Sequence, residues 1–151
     1  MKLYRMVAVS IVLLFSAKCL SPEPPLCWKF DELQLRPLSG QPFSLELLEH
    51  CSSKIYSLSN GCGSCLMDFA ETIYDEKRST PENNILVFII GSDWAMIEHF
   101  IQNEKSLSQY CLRFKVQNES YYFRTSNYLK REGFQVISLN ELGCITDIES
   151  L

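Results

Sequence analysis

Cys62-Gly63-Ser64-Cys65 is the one stretch whose residue types and spacing could do chemistry on their own. Before it, Lys54 to Ser59 alternates apolar and polar residues as a strand does, and Asn60-Gly61 breaks the run. After it, Leu66, Phe69, Ala70 and Ile73 recur at helical spacing, with Asp68, Glu71 and Asp75 opposite. The pair therefore opens a helix. A thiolate there is stabilised by unpaired backbone N–H groups and by the helix dipole. Three positions apart in a first turn, two sulfurs can close a small disulfide. Cys62, the better exposed, would attack a disulfide, and Cys65 would resolve the mixed intermediate. Gly63 and Ser64 add no charge, so only a mild depression of the Cys62 pKa is expected.

The same two thiols could form a purely structural disulfide or bind metal. Zinc wants two more ligands, usually as a second closely spaced pair. Cys27, Cys51, Cys111 and Cys144 supply no second CxxC and read as structural disulfides or buried thiols. Cu(I) would be content with two soft thiolates, with or without a histidine. His50 and His99 are the two histidines, and His99 falls in an amphipathic segment where a surface place is expected. Trp28, Trp94 and Tyr121-Tyr122-Phe123 read as packing aromatics, and the acidic residues as a solvated surface. No Ser-His-Asp arrangement, phosphate-binding glycine loop or carboxylate pair is evident, and no cofactor is expected.

Whether cysteines oxidise depends on compartment. Lys2 and Arg5 precede an apolar run, Met6 to Ser16, which suits a signal peptide and is short of the roughly 20 residues of a membrane span. Ser16-Ala17-Lys18-Cys19 and the proline-rich Ser21 to Pro25 then resemble a bacterial lipoprotein signal, which implies lipid on Cys19. A plain secretory signal and an uncleaved anchor are the alternatives. All three put the domain outside the cytoplasm, and a lipid or N-terminal anchor would place it in the cell envelope, on the periplasmic side of a bacterial membrane. The expected organisation is a signal over 1–19, a tether over 20–32 and a domain over 33–151. Without Lys2, Arg5 and Lys18 the net charge moves from −4 to −7, which argues against a nucleic-acid partner. A content of 46% hydrophobic and 21% charged residues is ordinary for a globular chain.

The elements that must position the pair follow in order. Leu33 to Leu45, punctuated by Ser39-Gly40-Gln41-Pro42, suggests a β-hairpin extension. Ile85 to Ile90 is a continuous apolar run, expected as a central strand covered on both faces. A helix is expected over Trp94 to Glu104, a strand over Leu112 to Val116, and a partial helix over Tyr121 to Arg131. Strands over Phe134 to Leu139 and Cys144 to Ile148 follow. The fold class is α/β: a mixed central sheet with helices on both faces and no C-terminal helix.

These segments resemble the TlpA-like branch of the thioredoxin family. The likeness is carried by Leu-Ser-Gly-Gln-Pro-Phe-Ser-Leu, by the strand ending in Cys-Gly-Ser-Cys, and by Asn-Glu-Leu-Gly before Cys-Ile. It implies a thioredoxin-like fold and a membrane-tethered thiol–disulfide oxidoreductase. It also implies exported protein thiols or disulfides and a membrane electron donor as partners. Gly61 stands where the family commonly has an aromatic residue. Gly133 and Phe134 stand where it has a cis-proline facing the disulfide. A thioredoxin-fold module that has lost catalysis and serves protein interaction is the alternative, with Cu(I) handling a third reading.

Overall fold

The structure, a computed structural model, describes residues 27–38, 54–60, 63–81, 85–125 and 127–151. Signal, lipidation and anchor expectations, and the Ser39 to Cys51 part of the expected hairpin, lie outside them. Among the described residues no helix is long and apolar enough to cross a membrane.

The apolar run Ile85–Ile90 forms a strand, β3, in which all six residues are buried. Its neighbours are β2 (Lys54–Ser59) and β4 (Cys111–Val116), both parallel to it. Outside these lie β1 (Leu35–Pro37), antiparallel to β4, and β5 (Gly133–Leu139), antiparallel to β2. β6 (Ile145–Ser150) closes the far side against β5. The result is one six-stranded mixed sheet in the order β1-β4-β3-β2-β5-β6.

Side chains alternate across a strand, so a strand without polar alternation must be covered twice. One core layer takes Tyr56, Leu58, Ile85, Val87 and Ile89 from the sheet. It is roofed by Leu66, Phe69 and Ile73 of helix α1 (Gly63–Ser79), Ile97 and Ile101 of α2 (Trp94–Asn103), and Leu107 of α3 (Lys105–Tyr110). The other layer takes Ile55, Leu86, Phe88 and Ile90, roofed by Tyr122 of α4 (Glu119–Arg124) and by Trp28 and Leu33. The α/β expectation with helices on both faces therefore holds.

Several finer expectations are corrected. Residues 27–32 are fastened to the domain rather than free as a tether. Cys27 is disulfide-bonded to Cys144, and Trp28 is 4% exposed, with its backbone N–H donating to Gly143 O at 3.1 Å. Trp28 also stacks on Tyr122 at 5.4 Å. The first arm of the expected hairpin pairs with β4, Leu35 opposite Val116 and Pro37 opposite Phe114, and the second arm lies outside the described residues. β4 would otherwise leave a row of unpaired N–H and C=O groups, and β1 satisfies them. The helix after Trp94 stops at Asn103, where Glu104 turns extended (ψ 92°), and α3 follows. α4 starts earlier than expected because Asn118 caps it, its side chain accepting from Tyr121 N at 3.1 Å. Glu98 is not a solvated acid: it is 7% exposed and its Oε2 lies 3.1 Å from Arg113 Nε.

Candidate redox site at the sheet edge

β2 and β3 end side by side, Ser59 opposite Ile90. The chain leaves both strands at the same edge, and α1 and α2 open there. Gly61 and Cys62 lie outside the described residues. Gly63 and Ser64 are exposed, and nothing lies within 4 Å of where a Gly63 Cβ would be. Cys65 is partly buried against the core layer that holds Phe69 and Phe134. It is disulfide-bonded. Of the other described cysteines, Cys27 and Cys144 bond each other and Cys111 is free.

The first turn of α1 carries no acid, and Lys77 and Arg78 occupy its last turn. Both features suit the helix dipole, and neither opposes a thiolate at the N-terminus. Phe134 lies in the core layer against which Cys65 packs. It is 1% exposed, stacked on Tyr56 at 6.3 Å and edge-on to Phe69 at 5.5 Å. Gly133 beside it has φ +98°, with open space where a Cβ would point.

Asn60 is the residue that sequence reasoning passed over as a strand breaker. Its φ is +39°, a left-handed value that asparagine tolerates better than most residues. Its N–H donates to Ile90 O at 3.3 Å and its Nδ2 to Arg131 O at 3.2 Å. Its carboxamide also fills the space beside Gly91, where a Cβ would overlap Asn60 Oδ1. Three connections at the edge (after β2, after β3 and before β5) are thus held by one side chain. The signal available in the sequence was the pairing of Asn60 with Gly91, each one residue past a strand.

No protein-family model matches the chain, and no curated protein matches it. A solved structure of a proposed electron transfer protein from Aquifex aeolicus VF5 is similar over 67% of this chain and 70% of that one, with 12% identity and a TM-score of 0.42. A likeness this loose assigns neither fold family nor function.

The remaining sequence candidates fall elsewhere. Cys111 is buried, and its thiol is pushed up to about 12, burial outweighing the opposing charges of Arg113 and Lys77. It is held protonated and is no nucleophile. His99 is exposed on α2, its Nε2 2.9 Å from Asn103 Nδ2. His50 and Cys51 lie outside the described residues. Among those described, no three His, Cys, Asp or Glu side chains gather as a metal site.

Proposed function

We propose that this chain is a thiol–disulfide oxidoreductase of thioredoxin-like fold, tethered at the periplasmic face of a bacterial membrane, with Cys62 and Cys65 as its exchanging pair. The observation that carries the reading is Cys65 in disulfide linkage within the first turn of a helix that follows a buried parallel strand. Cys62, three positions away, is the partner that a first turn favours. The order strand, CxxC helix, parallel strand, then an antiparallel pair on the far side of the first strand, supports the thioredoxin-like assignment.

In the reducing direction, the Cys62 thiolate attacks one sulfur of a substrate disulfide. An S–S bond forms to Cys62, and the substrate's second sulfur leaves as a thiolate. Cys65, having lost its proton, then attacks the Cys62 sulfur and releases the substrate's first sulfur. Two electrons pass from the pair to the substrate, which takes up two protons; the pair ends as a disulfide. A two-electron thiol donor on the membrane would return it to the dithiol. The apolar layer against which Cys65 packs favours a dry setting for the exchange, while exposed Gly63 and Ser64 leave the approach open.

The test is insulin reduction by the protein with dithiothreitol as donor. Turnover that disappears in Cys62→Ser, with Cys65→Ser trapping a mixed disulfide, is the expected result; equal rates with and without the protein would remove the reading. Lipid on Cys19 is tested separately, by mass spectrometry of the N-terminal peptide from membrane-purified protein. An interaction module without turnover is favoured by one feature: among the described residues nothing lies within 4 Å of where a Gly133 side chain would begin, so none of them walls a bound peptide there.

A further inference from the structure

We propose that the edge carrying the redox pair also carries a docking surface for an acidic segment of the substrate polypeptide, built from Arg36, Trp94 and Lys115. The proposal rests on the redox reading above and adds the substrate class to it.

Trp94 opens α2 just as Gly63 opens α1, each four residues past the end of its strand. Trp94 and Cys65 are both partly buried side chains on the same core layer. β4 continues the edge beyond β3, with Lys115 opposite Ile89, and Arg36 of β1 lies opposite Lys115. Lys115 shares its face with Arg113, which reaches α2 through Glu98. Lys115 Nζ lies 4.6 Å from the Trp94 ring centroid and Arg36 Cζ 6.0 Å from it. Two cations are thus gathered on one aromatic ring, which orders their long side chains before any partner arrives.

Neither cation forms an ion pair with a described residue. The acid next to Trp94, Asp93, accepts from Ser92 Oγ at 3.2 Å. The rest of the chain is acidic, so two cations without an ion pair among the described residues are a local reversal of charge.

A carboxylate brought onto Trp94 would pair with both cations while its backbone crosses towards the opening of α1. β2 and β4 are two strand spacings apart, about 10 Å, which an extended peptide covers in about three residues. The fitting substrate is therefore a polypeptide with an acidic residue about three positions from the cysteine that is exchanged.

The experiment uses the full mature protein and three disulfide-bridged peptides that differ only near the cysteine, carrying Asp-Glu, Asn-Gln or Lys-Lys. Initial rates give kcat/KM for wild type, Arg36→Gln, Lys115→Gln, the double variant and Lys115→Arg. The acidic peptide should lead the neutral one by about tenfold, the size that two exposed ion pairs can supply. The double variant should lose that lead without slowing on the neutral peptide, and Lys115→Arg should retain it. Raising ionic strength from about 0.05 to about 0.5 M should shrink the lead in wild type itself, so the result does not depend on any variant folding. Equal rates on all three peptides would overturn the docking surface and leave the redox reading standing. No turnover of any peptide would overturn both.

Discussion

At the scale of single residues, Cys111 and Gly91 make opposite demands on the solvent. Cys111 sits in the core with its pKa raised from 9.0 to about 12 by burial. The folded state therefore keeps a proton that the unfolded chain gives up near pH 9. Stability from this site is whole below that pH and falls as pH rises towards 12. By pH 10 the loss should be about 1.4 kcal/mol. Urea midpoints measured between pH 8 and pH 10 should slope downward in wild type, and the slope should flatten in Cys111→Ala even though that variant starts less stable. Gly91 is constrained by φ +94° and by the carboxamide of Asn60. Gly133 shares the positive φ but faces open space. Alanine at 133 should cost about 1–2 kcal/mol for the left-handed backbone alone. Alanine at 91 should cost more, because it also evicts Asn60, and should change the alkylation rate of Cys65 in the reduced protein while Gly133→Ala leaves it alone. Denaturant melts and residue-resolved alkylation check both halves. The sequence offered Cys111 as a buried thiol or a disulfide without deciding between them, and marked Gly91 only by its place, like that of Asn60, one residue past a strand.

Elements were legible where their burial is one-dimensional. Ile85–Ile90 needs no neighbour to be recognised as a doubly covered strand, and Leu66, Phe69 and Ile73 mark a helix by spacing alone. Lys105–Tyr110 was missed because it offers one buried apolar residue, Leu107, whose place is set by α2 and the sheet rather than by a pattern of its own. The pairing of β1 with β4 was missed because a sheet edge recruits whichever strand reaches it. Polar groups between elements are equally hidden. Ser57 lies on β2, inside the core, with its Oγ 2.6 Å from Tyr122 Oη of α4. This bond ties α4 to the strand that precedes α1. Tyr122→Phe strands a buried hydroxyl and should cost about 1–3 kcal/mol. Adding Ser57→Ala removes the orphan, so the double variant should be less destabilised than the two singles summed. A double-mutant cycle in urea reads the coupling, and additive losses would mean the hydroxyls do not depend on each other.

At the scale of the whole molecule, the disulfide that closes the domain was not legible in the sequence. Cys27 and Cys144 are 117 residues apart, and nothing local marks them as partners. Replacing both by serine should lower stability by about 2–4 kcal/mol, less than the chain-entropy ceiling for so long a loop. Thermal melts of the double variant check this, and an unchanged melting temperature would mean that Trp28 holds the segment unaided. The bond has a mechanical consequence as well. A load applied to the chain ahead of Cys27 does not peel β1 from β4; it passes through the sulfurs to the turn before β6. Pulled between its two ends, the oxidised domain can surrender only the stretch from Ile145 onward, and everything from Cys27 to Cys144 stays a closed ring. Reduction would release a further 117 residues, about 420 Å of extended chain, in a single-molecule trace. A domain hung from a membrane by its N-terminus would thus bear tension across its body rather than at its seams.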